Sequence, residues 1–110
     1  VFSDVPPDHL LAQEEIFGPV LTVHPCDDLD EMVAVANGTR YGLTAAVWSA
    51  DVDTSVAVAR RLQAGQVVIN GGGFNLAAPY GGVKESGNGR EHGREGLAEL
   101  TEVKSMQLPA

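Results

Sequence analysis

Residues 20–70, VLTVHPCDDLDEMVAVANGTRYGLTAAVWSADVDTSVAVARRLQAGQVVIN, alternate short β-prone runs with stretches of helical periodicity. Val20-Leu21-Thr22-Val23 follows a Gly-Pro turn and ends at Pro25 and the acids Asp27 and Asp28, which predicts a strand handing over to a helix. Leu29, Met32, Val33 and Ala36 recur at i, i+3, i+4 and i+7, the spacing of one buried helical face. Asp27 or Asp28 can cap that helix, and Gly38 stands just past its end. Thr44-Ala45-Ala46-Val47-Trp48 predicts a second strand, and Val52, Val56, Ala59 and Leu62 a second amphipathic helix stopping at Gly65. Val67-Val68-Ile69 predicts a third strand. Strand, helix, strand, helix, strand with short connections is the pattern of parallel βαβ units with right-handed crossovers. The expected fold class is therefore α/β, built on a partial parallel βαβ sheet.

Working outward, the character changes after Asn70. Glycines at 71, 72, 73, 81, 82, 87, 89, 93 and 96 dominate a stretch with little periodicity, and a long irregular segment is usually functional or packed against something else. A short helix near Arg90 to Leu97 and a final strand near Thr101 to Leu108 are expected to follow it. Upstream, Val1-Phe2-Ser3-Asp4-Val5-Pro6-Pro7 opens without a methionine and reads as the end of an element, as in a fragment or processed product.

A chain of 110 residues suits one compact domain with one modest core. Its 44% hydrophobic and 20% charged residues are those of an ordinary globular protein. Seven Lys and Arg against 15 Asp and Glu leave a net charge of -8, which repels phosphate backbones and argues against nucleic acid as a partner. Nothing approaches the roughly 18 consecutive apolar residues of a membrane span. The single cysteine, Cys26, cannot form an intramolecular disulfide, and no basic-then-apolar opening suggests a signal peptide, so the expected compartment is the cytoplasm.

Glu14-Glu15-Ile16-Phe17-Gly18-Pro19-Val20 places an acid and an aromatic two residues apart at the mouth of the first expected strand, where alternation would put Glu15 and Phe17 on one face. A carboxylate there could accept from both hydroxyls of a ribose while the ring lies against a nicotinamide. From the residues alone an exposed acid beside a core phenylalanine is the commoner reading, since most phenylalanines simply pack. Phe74 and Tyr80, on or beside the glycine-rich loop, suit a pocket wall or the sealing of the domain's own core. Gly87-Asn88-Gly89-Arg90-Glu91-His92-Gly93 has the spacing G-x-G-x-x-x-G with no strand leading into it, so it is not a dinucleotide fingerprint. Arg90 and Glu91 are expected to begin a helix and make structural contacts, and His9 and His92 to be solvated. His24 and Cys26 lack further metal ligands, and no metal site is expected.

The run Glu14 to Val20 resembles the aldehyde dehydrogenase family residue for residue. So do Asn37, Tyr41-Gly42-Leu43, Ala45 and Val47, then Gly65-Gln66-Val67-Val68-Ile69-Asn70. Pro79-Tyr80-Gly81-Gly82-Val83-Lys84-Glu85-Ser86-Gly87, Gly89-Arg90-Glu91, Gly93 and Thr101-Glu102-Val103-Lys104 extend the resemblance over nearly the whole chain. It implies that residues 1–100 are the C-terminal part of a catalytic domain and residues 101–110 a strand of an oligomerisation arm. By the same resemblance Glu15 holds the nicotinamide ribose of NAD or NADP and Phe17 abuts the nicotinamide ring. Phe74 and Tyr80 line the aldehyde channel, Tyr80 standing where phenylalanine is usual. Arg90 and Glu102 lie near the subunit interface of a homo-oligomer, dimer or tetramer. The implied activity is oxidation of an aldehyde to a carboxylic acid by NAD(P), through a thiohemiacetal on a cysteine. Cys26 is not that cysteine, because the family nucleophile sits in a loop upstream of the EEIFGPV run and the acids beside Cys26 oppose thiolate formation. No catalytic residue is therefore assigned in this chain, and the isolated chain is expected to be inactive. The rival expectation is a non-catalytic interaction or oligomerisation module that pairs through exposed sheet edges.

Overall fold

The structure, a computed structural model, describes residues 1–109. Its elements are β1 (Phe2–Ser3), α1 (Leu10–Gln13), β2 (Thr22–Val23), α2 (Leu29–Asn37), β3 (Thr44–Val47), α3 (Val52–Ala59) and β4 (Gln66–Ile69), followed by a 3-10 turn (Lys84–Ser86) and α4 (Gly93–Ala98). This is an α/β arrangement of two parallel strand pairs, each joined through a helix. β1 pairs with β2 in the register Phe2 to Thr22, and β3 pairs with β4 from Thr44 opposite Gln66 to Val47 opposite Ile69.

The sheet differs from the expected continuous βαβαβ ladder. The strand expected at Val20–Val23 is reduced to two residues and pairs with Phe2–Ser3, not with β3. Its leading residues are already engaged, since the Val20 amide turns back to the Gly18 carbonyl at 2.8 Å and the Leu21 carbonyl accepts from the Phe2 amide at 2.8 Å.

α2 starts where its sequence supplies caps. The Asp28 carboxylate accepts from the Glu31 amide, and the Glu31 carboxylate accepts from the Asp27 amide, each at 2.8 Å, so two amides without helical partners are satisfied by side chains. Asp51 does the same for α3, accepting from the Thr54 amide at 3.1 Å and from the Thr54 hydroxyl. The end of α2 is tied to the segment just after α3 by Asn37, which donates to the Arg61 carbonyl at 2.9 Å and accepts from the Gln63 amide at 2.8 Å. Between these helices and β3–β4 lies the core, formed by Val33, Val47 and Val58 with Met32, Ala59, Leu62 and Val67 packed against it.

That core is smaller, and the chain less compact, than its length suggested. The body measures 68 × 32 × 24 Å, with a radius of gyration of 18.2 Å where about 13 Å is usual for a compact domain of this length. Its accessible surface is 8374 Å², against about 5,800 Å² for a compact monomer of this size. Trp48, Phe74, Leu76, Leu97 and Leu100 are all more than half exposed. The expected final strand is absent: Thr101–Pro109 forms no regular element, and Val103, Met106 and Leu108 stand in solvent. A strand exists only with a partner for its amides and carbonyls, and none lies alongside this stretch among the described residues. Ala110, the last residue of the expected arm, lies outside the described residues.

Candidate functional site

The loop between α1 and β2 carries Glu15 and Phe17, and it is anchored from its upstream end. Gln13 donates through Nε2 to the carbonyls of Pro7 at 2.6 Å and Gly38 at 3.2 Å. The Glu14 amide closes α1 on the Leu10 carbonyl at 2.9 Å, and its carboxylate is held by the Arg40 guanidinium. Glu15 and Ile16 then run irregularly into two consecutive three-residue turns. In these the Gly18 amide donates to the Ile16 carbonyl and the Val20 amide to the Gly18 carbonyl, both at 2.8 Å. The expected strand alternation therefore does not operate at Glu15 and Phe17, because the turns centred on Phe17 and Pro19 replace extended backbone.

Both side chains are nonetheless presented to solvent. Phe17 is 95% exposed, and the Glu15 carboxylate is exposed and enters no hydrogen bond or ion pair among the described residues. Glu15 also borders an open cleft of about 390 Å³ whose walls include Asn37, Tyr41, Gly42, Gln63 and Ser86. Phe17, Phe74 and Tyr80 do not line it. A free carboxylate is an acceptor of up to four hydrogen bonds, and a bare ring offers an apolar face.

Phe74 and Tyr80 form a second group. Their ring centroids lie 5.9 Å apart with planes at 72°, an edge-to-face pair. His92, exposed as expected, is also the third ring of the cluster, 5.8 Å from Phe74 and 6.4 Å from Tyr80. The backbone brings it there: Tyr80 and Glu91 exchange amide-to-carbonyl bonds of 2.7 and 2.6 Å, and Gly93 lets the loop settle on the chain after His92. A Cβ at Gly93 would lie 2.9 Å from the Ala77 carbonyl oxygen, in a backbone conformation with φ of +60° that side chains rarely adopt. A lone histidine in a glycine-rich stretch gives no sequence signal for such packing. His9 is exposed as expected, and its Nδ1 accepts from the Leu11 amide at 3.1 Å to cap α1.

Arg90 makes structural contacts, as expected, donating through Nη1 to the Gly82 carbonyl at 2.7 Å and the Gly89 carbonyl at 2.8 Å. It does not begin a helix, however, since α4 starts at Gly93 after His92 at φ of 59°. Glu102 is exposed, and within the chain it forms no ion pair with Arg90. The Cys26 thiol donates weakly to the His24 carbonyl at 3.6 Å, and desolvation followed by the charges of Glu31, Asp27 and Asp28 pushes its pKa up, away from thiolate chemistry. Among the described residues no three His, Cys, Asp or Glu side chains are grouped to hold a metal ion. No helix of the described residues is long and apolar enough to cross a membrane.

The model of the aldehyde dehydrogenase family matches residues 1–106. The chain belongs to that family. It is 48% identical over 108 residues to geranial dehydrogenase of Castellaniella defragrans, covering 98% of this chain and 23% of that enzyme. The crystal structure of Mycobacterium tuberculosis aldehyde dehydrogenase complexed with NAD+ superposes with a TM-score of 0.92 at 42% identity, over 98% of this chain and 22% of that one. A mutant of aldehyde dehydrogenase C from Pseudomonas syringae, complexed with NAD+ and octanal, superposes with a TM-score of 0.84 at 50% identity, over 89% of this chain and 20% of that one. The chain thus spans about a fifth of the length of the aldehyde dehydrogenases it matches.

Proposed function

We propose that this chain forms one wall of the active site of an NAD(P)-dependent aldehyde dehydrogenase that oxidises an aldehyde to a carboxylic acid, and that it contributes binding groups, not the nucleophile. The observation that carries this is the EEIFGPV loop, in which a Glu15 carboxylate without a partner among the described residues and a 95% exposed Phe17 ring are held out on an anchored turn. A lone carboxylate and a bare ring suit the diol and flat base of a nicotinamide riboside. Glu15 accepts from the ribose hydroxyls, and Phe17 limits where the nicotinamide can lie. Bound NAD(P) would supply the hydride acceptor. Phe74 and Tyr80, braced by His92, offer an apolar wall for the aldehyde's organic group. The thiohemiacetal would form on a cysteine other than Cys26, whose raised pKa and acidic neighbours oppose attack. Arg90 and Glu102 would serve a subunit interface in a dimer or tetramer.

The test is made in the full-length enzyme carrying this segment. Glu15→Gln slows turnover by roughly ten- to a hundredfold with a smaller change in cofactor affinity, and a deuterated aldehyde shows a larger isotope effect than in the wild type. An unchanged rate and isotope effect would make Glu15 an ordinary exposed acid. The 110-residue chain alone gives no aldehyde-dependent reduction of NAD(P), and turnover abolished by Cys26→Ser would instead make Cys26 the nucleophile.

A second reading, a non-catalytic association module, is favoured by one observation. Leu100, Val103, Met106 and Leu108 are each at least 84% exposed along one terminal stretch, apolar area suited to another chain. Turnover by the full-length protein excludes it.

A further inference from the structure

Arg40 lies in the turn between α2 and β3, and its guanidinium meets two acids from distant parts of the chain. Nη2 binds the Glu14 carboxylate, and Nε lies 3.3 Å from the Glu85 carboxylate. The guanidinium carbon stands 5.4 Å over the Tyr41 ring, and Nη2 is 3.4 Å from the Tyr41 hydroxyl, which restrains the fork that serves both acids. Glu85 is itself part of a fixed body. Lys84 donates through Nζ to the carbonyls of Asn37 at 2.7 Å and Thr39 at 2.9 Å, and the Ser86 hydroxyl accepts from the Gly42 amide at 2.9 Å. One side chain therefore ties the residue immediately before Glu15 to the 84–86 turn and to the entry of β3.

We propose that Arg40 is a positioning residue for Glu15, acting through Glu14 to hold the loop at the height and direction that Glu15 needs to meet the nicotinamide ribose. This rests on the role proposed above for Glu15. Stability does not account for the arrangement. The Arg40, Glu14 and Glu85 side chains are 44%, 34% and 59% exposed, and exposed ion pairs add little to folding. Their geometry instead fixes a loop that no regular element restrains between Glu15 and Val20. The planar fork matters, because a lysine would offer one point charge where two separated carboxylates must be met.

The decisive measurement is a double-mutant cycle in the full-length enzyme. Arg40→Ala is expected to lower kcat by roughly five- to tenfold and to raise the isotope effect with deuterated aldehyde, while the KM for aldehyde and the melting temperature stay close to wild type. Arg40→Lys recovers only part of the loss. In a Glu14→Gln background, and again in a Glu15→Gln background, Arg40→Ala changes kcat less than about twofold, because the link or the carboxylate it serves is already gone. A full additional loss in either background, or an unchanged kcat in Arg40→Ala, overturns the proposal. Should Arg40→Ala unfold the enzyme, Arg40→Gln and Arg40→Lys in the same backgrounds decide by the same criterion. If Glu15→Gln slows turnover and Arg40→Ala does not, only the role of Arg40 fails; if Glu15→Gln has no effect, the reading of Glu15 fails with it.

Discussion

Single residues in this chain do work that their type alone does not announce. Gly65 is an example: a Cβ there would lie 1.5 Å from the Gly81 carbonyl oxygen, so two remote glycine-containing stretches touch through bare backbone. Gly65→Ala is expected to destabilise the full-length enzyme by about 3 kcal/mol, read as a drop in melting temperature with little change in the KM for aldehyde. Asp51 is the clearest titrating cap. The Thr54 hydroxyl, and then the Thr54 amide, hold its carboxylate below the usual aspartate range. Its folded-state pKa is depressed, so its contribution to stability is present above the unfolded aspartate pKa of about 3.9 and is lost as pH falls through the lower folded value. Acid titration followed by circular dichroism should show Asp51→Asn narrowing its stability gap to wild type below about pH 4, and a gap independent of pH would contradict this. Glu14, Lys84 and Asn37 were visible in the sequence only as members of family-like runs. Their partners lie at separations of 24 residues or more, which no local pattern encodes.

At the scale of elements, the helical periodicity and the start of α2 were legible and strand pairing was not. The face Leu29, Met32, Val33, Ala36 did form a helix, and Asp28 did cap it, because both depend on residues within four positions. Gly38 proved to be a right-handed C-cap with φ of -71°, so its lack of a side chain is not what ends α2. The ending is instead secured by Asn37, which bridges to the segment just after α3. Asn37→Ala leaves the Gln63 amide and the Arg61 carbonyl without that partner, at a cost of about 1 to 2 kcal/mol. Hydrogen exchange in the full-length enzyme should show faster exchange at Gln63 while the amides of β3 keep their protection. Equal acceleration throughout would place the effect in global stability and not in this junction.

The whole molecule is defined as much by what it leaves bare as by what it buries. A three-valine core, a body 68 Å long and a run of exposed leucines describe a chain whose apolar surface exceeds what it can cover by itself. The isolated chain is therefore expected to self-associate or to be poorly soluble. Sedimentation over a range of concentrations checks this, and a well-behaved monomer with a sharp, concentration-independent melting transition would show a self-sufficient domain. In the full-length enzyme, removal of Thr101 to Ala110 is expected to lower the oligomeric state and the melting temperature together, since an extended, exposed stretch with Val103 at 97% exposure gains most from a partner. Loss of melting temperature without dissociation would place the tail against its own subunit.

The α/β class, the helices α2 and α3, the Asp28 cap, the family, and the candidate residues Glu15, Phe17, Phe74 and Tyr80 were legible in the sequence by itself, because periodicity, turn chemistry and short motifs are local; the buried face of α3, Ser55 and Val58 in place of Val52 and Val56, its end at Ala59 and its Asp51 cap were not. Tertiary structure alone decided that β2 pairs with β1, that Thr101–Pro109 has no strand, that two turns replace alternation at Phe17, and that His92 closes the ring cluster. The placement of Arg40 between Glu14 and Glu85 belongs to the same class. The physical reason is common to all of these. Hydrogen bonds between distant segments depend on which partners the folded chain brings within 3 Å, and a sequence specifies the donors and acceptors without specifying their meeting.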